Sequence, residues 1–103
     1  MLYIIYQRDK HRVRLIGHAD GGEPGRDLIC AAASVLAHTL ASLVYELDGE
    51  DADIRLRSGD ALIACKGDDR AEQITAVFDT VCRGFSLLGE QFPECVSFRQ
   101  AQG

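Results

Sequence analysis

Cys30 and His18 are the residue types that can build a nucleophile and its base. A thiol becomes a strong nucleophile as the thiolate, and an imidazole nearby can take its proton and later return it. The run Asp20-Gly21-Gly22-Glu23-Pro24-Gly25 separates them, followed by Asp27; Ser34 lies four residues beyond the cysteine. Asp27 has the residue type of a helix N-cap, whose carboxylate accepts the exposed N–H of Ile29 or Cys30. That cap puts Cys30 in a first helical turn, where unpaired N–H groups and the helix dipole favour negative charge. The same N–H groups suit a developing oxyanion. Asp27 has two readings, a pure cap or a residue that orients His18. Ser34, at i+4 from Cys30, falls on the same helix face, to assist the site or to pack closely beside Ala31 and Ala33.

These residues need elements to carry them. Leu2–Gln7 is apolar and aromatic and reads as a strand. Arg8-Asp9-Lys10 is a turn, and His11–His18 alternates as a second strand, with Val13 and Leu15 on one face and Arg12, Arg14 and Ile16 on the other. His18 then stands at a strand end. Gly21, Gly22 and Gly25 give the next stretch unusual backbone freedom, which lets it fold back and bring His18 toward Cys30. A phosphate-binding loop does not fit, because the required Lys and Ser/Thr are missing after Gly25.

From Asp27 to a stop at Gly49, the stripe Leu28, Ala32, Val35, Leu36, Thr39, Leu40, Leu43 and Leu47 recurs at a helical spacing. Asp53–Arg57 and Ala61–Lys66 are strands around a Ser58-Gly59-Asp60 turn, with Ile54, Leu56, Ala61, Ile63 and Cys65 inward. A second helix follows Gly67-Asp68-Asp69, with Ile74, Val77, Phe78, Val81, Cys82, Phe85 and Leu88 as its apolar stripe. Val96–Arg99 is the last strand. The expected fold is α+β: a mostly antiparallel sheet of about five strands with two helices, in the order β-β-α-β-β-α-β.

Composition narrows the function. At 103 residues the chain is expected to be one domain over 1–103. Its net charge of −5 argues against a nucleic-acid binder. The N-terminus lacks the basic region of a signal peptide, and no stretch reads as a membrane span, so a cytoplasmic location without membrane contact is expected. The cysteines at 30, 65, 82 and 95 contain no C-x-x-C pair, which speaks against zinc and dithiol chemistry. No metal or cofactor is expected. Cys65 and Cys82 follow the apolar phase of their elements, whereas Cys95 falls out of phase and is expected at the surface. His11 is expected to be solvated, and His38 to lie at the surface or an interface. The acidic stretch from Glu46 to Asp53 reads as a solvated helix end, not a calcium loop.

The run Gly17-His18-Ala19, Gly25, Asp27, Cys30-Ala31-Ala32 and Ser34 resembles the signature of the ribosomal-processing cysteine proteases called Prp. The pattern G-H-A-x5-G-x-D-x-x-C-A-A-x-S fixes nine positions within eighteen residues, and all are matched. Gly84 to Pro93 is similar to the family's G-x-x-L-L-x-E-Q-Y/F-P ending. The resemblance implies a homodimeric α+β protease without cofactor that removes a short N-terminal extension from a large-subunit ribosomal protein, cutting after an aromatic residue. It also implies that His18 and Cys30 form the catalytic dyad and that residues 19–26 form a mobile active-site loop. Two other functions are weighed beside it. One is a non-catalytic dimeric module that binds a ribosomal protein tail or another peptide during assembly. The other is a thiol redox sensor, ranked last because the sequence offers no obvious resolving cysteine.

Overall fold

The computed structural model describes residues 1–19 and 26–101, without the side chains of Arg26 and Asp27. Five strands and two long helices follow one another as β1 (Leu2–Gln7), β2 (Arg12–Gly17), α1 (Arg26–Asp48), β3 (Ala52–Arg57), β4 (Asp60–Cys65), α2 (Ala71–Gln91) and β5 (Val96–Ala101). The strands form one sheet in the order β3-β4-β2-β1-β5. All neighbours are antiparallel except β1 and β5, which run parallel with Leu2 opposite Val96. The parallel pair requires a crossover, and α2 supplies it. The expected α+β fold and element order are therefore observed.

Period-2 alternation places one apolar side of the sheet under the helices. Leu2, Ile4 and Tyr6 of β1, Val13 and Leu15 of β2, and Ile63 and Cys65 of β4 are buried there. On the other side Tyr3, Arg14 and Ile16 remain exposed. α2 contributes Ile74, Phe78, Val81, Cys82 and Phe85 to the core, as its spacing predicted.

α1 departs from expectation. Its buried face is Ile29, Ala33, Ala37, Leu40, Ala41 and Val44. Four members of the predicted stripe are exposed: Leu28 (75%), Val35 (65%), Thr39 and Leu43. The helix is apolar on most sides, so periodicity did not fix its rotation. Close packing did: the alanines 33, 37 and 41 let the helix approach its neighbours, Ile29, Leu40 and Val44 fill the core beside them, and Leu28, Val35 and Leu43 are left outside. Leu28–Asp48 is also long and apolar enough to cross a bilayer, with a mean hydropathy of 1.8, contrary to the reading that no stretch is. That apolarity serves two faces, one packed in the core and one exposed.

Further corrections concern β3, His11 and Cys95. β3 is an edge strand, so Ile54 is only half-buried and Leu56 is exposed, rather than both lying inward. His11 is buried, not solvated. It takes a left-handed φ of 47°, a region where His is enriched, as the chain leaves a short 3-10 turn at Arg8–Lys10. Its Nδ1 lies 3.3 Å from the Lys66 carbonyl oxygen and its Nε2 2.8 Å from Thr75 Oγ1. A carbonyl oxygen only accepts, so Nδ1–H donates to Lys66 and, in the neutral ring, Nε2 accepts from the Thr75 hydroxyl. The ring also stacks on Phe78 at 5.9 Å. Cys95 is buried because β5 begins only at Val96. Residues 92–95 instead form a turn, in which Cys95 N–H donates to the Phe92 carbonyl and the Cys95 carbonyl accepts from Leu2 N–H.

Candidate active site

β2 ends at Gly17, whose φ of +94° and close approach to the Met1 carbonyl oxygen leave no room for a side chain. This sharp end turns the next residue, His18, out of the sheet and into the exposed position it occupies. Ala19 is then fully buried and anchors the chain on the far side of the histidine.

α1 carries the thiol. The helix begins at Arg26, so Asp27 is its second residue rather than the residue before it. Cys30 is then the fifth helical residue, beyond the first turn in which the sequence placed it. The unpaired N–H groups belong to the residues just before it. Helical side chains lean toward the N-terminus, so Sγ projects back over that turn. Cys30 is half-buried, whereas Cys65, Cys82 and Cys95 are buried. Burial, together with a Sγ–H hydrogen bond of 3.2 Å to the Asp48 carboxylate, pushes the Cys65 thiol up to about 12. Burial first, and then the Asp79 charge, pushes Cys82 up to about 12 as well.

His18 and Cys30 line one cleft of about 350 Å³. Its floor comes from the ends of the sheet, with Leu2 and Leu15; α1 forms one wall and the β3–β4 hairpin the other. Ser34 also lines it, one turn beyond Cys30. Three of the predicted site residues, His18, Cys30 and Ser34, are thus brought together. Gly21, Gly22 and Gly25 lie outside the described residues, as does the side chain of Asp27. Among the described residues, no group of three or more His, Cys, Asp or Glu side chains is arranged to hold a metal ion.

The sequence reading did not include two contributors to the cleft. His38 lines it two turns beyond Cys30. Its Nδ1–H donates to the Ser34 carbonyl at 2.8 Å, which leaves Nε2 as the acceptor in the neutral ring. The 30, 34, 38 spacing, which repeats every four residues on one helix face, was the available signal. The second contributor is the hairpin segment Ser58-Gly59-Asp60. No local pattern marks it, because only sheet pairing carries it across to His18. Asp60 also meets Arg14 at 3.4 Å, but both side chains are about half exposed and such pairs contribute little.

The family described as cysteine protease Prp matches residues 1–97. The chain belongs to the Prp family of cysteine proteases. It is accordingly a hydrolase that uses a cysteine. Similar solved structures agree on the fold. One is SMU.848 from Streptococcus mutans, with 25% identity and a TM-score of 0.72, covering 99% of this chain and 93% of that one. Another is the essential ribosomal processing protease Prp from S. aureus in complex with a substrate peptide, with 23% identity and a TM-score of 0.76, covering 97% of both chains. The same S. aureus protein with a covalently linked product peptide gives 24% identity and a TM-score of 0.72, again covering 97% of both chains. No curated protein sequence matches this chain.

Proposed function

We propose that this chain is an endopeptidase that removes a short N-terminal extension from a large-subunit ribosomal protein, with Cys30 as nucleophile and His18 as base. One observation carries the assignment of roles: the strand-end imidazole and the most accessible thiol line the same cleft. Family membership supplies the reaction class, and the substrate class follows the S. aureus relative, described as a ribosomal processing protease.

In this mechanism His18 takes the Cys30 proton, and the thiolate attacks the scissile carbonyl carbon. The tetrahedral intermediate collapses as the C–N bond breaks, and the imidazolium gives its proton to the leaving amine. Water, deprotonated by His18, then attacks the acyl-enzyme, releasing the new carboxylate and regenerating the thiol. The apolar cleft lining of Leu2, Leu15, Leu56 and Ala61 suits an extended peptide with an aromatic residue before the cut. Ser34 supports the dyad from one turn along α1, and Asp27, Gly21, Gly22 and Gly25 are assigned supporting or substrate-binding roles. The protein works in the cytoplasm as a homodimer. The exposed apolar face of α1, with Leu28, Val35 and Tyr45, is the surface that favours self-association.

The test is cleavage of a peptide spanning such an extension. Cys30→Ser is expected to abolish cleavage and to retain peptide binding. Undiminished cleavage by that variant would refute the assignment, and a Cys30→Ser variant that fully supports the cell would favour a binding module.

A further inference from the structure

The turn between β3 and β4 reaches across to the histidine. Arg57 pairs with Asp60, so Ser58 and Gly59 form a two-residue loop. Gly59 has φ +79°, and the Gly17 N–H donates to the Gly59 carbonyl at 2.9 Å. The turn is therefore tied to the residue immediately before His18. A Cβ at position 59 would lie 2.8 Å from His18 Nε2, 3.4 Å from Cε1 and 3.6 Å from Cδ2. Carbon atoms do not approach a ring nitrogen that closely, so the edge of the imidazole occupies the space a side chain at 59 would need. Ser58, Gly59 and Asp60 line the same cleft as His18 and Cys30.

We propose that the Ser58-Gly59 turn sets the orientation of the His18 imidazole, with Gly59 as its positioning residue. This rests on the reading of His18 as the base. An exposed strand-end histidine has two side-chain torsions to fix, and the ring torsion is broad. Packing against a glycine that is hydrogen-bonded to the preceding residue restricts both. A general base must come within about 2.6–3.2 Å of the proton it takes, and an error of about 1 Å can cost on the order of a hundredfold in rate. A methyl group at 59 drives the ring out of this arrangement while leaving Cys30 untouched.

The test uses the full chain and the variants Gly59→Ala, His18→Ala and the double variant. Three measurements are compared: the His18 ring resonances by NMR, kcat and KM for peptide cleavage, and the melting temperature. The proposal expects Gly59→Ala to move the His18 ring resonances and to lower kcat about tenfold or more, with KM little changed. The melting cost of Gly59→Ala must also shrink in the His18→Ala background, where no ring is left to strike. The strain of a positive φ alone gives the same cost in both backgrounds. Equal costs, or ring resonances that do not move, overturn the proposal. Where Gly59→Ala alone does not fold, recovery of folding in the double variant supports it and failure to recover overturns it. Full cleavage by His18→Ala overturns the base reading and, with it, the catalytic role of the turn. Displaced ring resonances in Gly59→Ala would mark that failure as one of the dyad and not of the packing.

Discussion

Thiol–disulfide exchange with an aromatic disulfide reagent at pH 8 is expected to modify Cys30 and spare the other three cysteines of the folded protein. Cys65 and Cys82 have thiols pushed up to about 12, so only about one molecule in 10⁴ carries the thiolate at either position at that pH. An ordinary accessible cysteine, with a pKa of about 8.5, is roughly one-quarter thiolate. The ionisation contrast is thus about 2.4 × 10³. Part of it is returned, because a more basic thiolate is intrinsically more reactive, with a Brønsted slope of about 0.4–0.5. Over about 3.5 pH units that returns a factor of roughly 30 to 50, leaving a contrast of about fifty- to a hundredfold. Access adds a second factor. Both residues, and Cys95, are only about 3% exposed, so a reagent reaches their sulfurs only through an opening of the structure. An opening costing about 4 kcal/mol slows reaction by another factor of roughly 10³. Reaction followed by mass spectrometry of proteolytic peptides should therefore show one modified thiol, at Cys30, until denaturant is added. Comparable rates at Cys65 or Cys82 under native conditions would refute the burial and the raised thiol values together. Equal, slow reaction of all four would count against Cys30 as the nucleophile.

Other expectations rest on separate parts of the molecule. Replacing His11 by Ala leaves the Lys66 carbonyl and the Thr75 hydroxyl without their ring partner and removes packing on Phe78. The expected loss is about 2–3 kcal/mol in urea unfolding, and a loss near zero would show that the buried histidine is not structural. Asp79 accepts from the Arg8 guanidinium at 3.0 Å and from the Tyr6 hydroxyl at 2.7 Å; the Arg8 contact is the first cause that holds its carboxyl below the usual range. A lowered native value means stability that is present above the unfolded carboxyl value, about 3.9, and lost as pH falls below it. Melting temperatures followed from pH 6 to pH 2 should fall more steeply for the native protein than for Asp79→Asn; parallel curves would dismiss the linkage. Val35 is 65% exposed on the outer face of α1, so Val35→Asp should leave monomer stability within about 0.5 kcal/mol while shifting sedimentation from dimer to monomer. An unchanged sedimentation coefficient would refute this face as the surface of self-association.

Much of the fold was legible because alternation and helical spacing are local. In β2, Val13 and Leu15 alternate with Arg14 and Ile16, and the structure buries the first pair and exposes the second. In α2 one strongly sided stripe gave the buried face directly. α1 was different, because its alanines and its larger apolar residues both repeat with helical spacing. Only tertiary packing selected Ala33, Ala37 and Ala41, with Ile29, Leu40 and Val44, as the buried set. His11 and Cys95 were misplaced for a related reason. Charge around a turn and phase along a strand describe neighbours in sequence, but Thr75 and the turn at 92–95 are what bury these two residues.

The cleft divides in the same way. The sequence by itself determined the reacting residue types, the strand end at His18, the helix that carries Cys30, and the motif shared with the Prp family. Tertiary structure decided which cysteine is accessible. It also decided that Ser34 and His38 share the cleft with the thiol, and that a glycine forty-one residues after His18 lies against the imidazole. Pairing between β2 and β4 makes that last contact, with Ile16 opposite Asp60, and the Gly17–Gly59 hydrogen bond closes it. Sheet register joins residues distant in the chain, and no spacing within either segment carries that information.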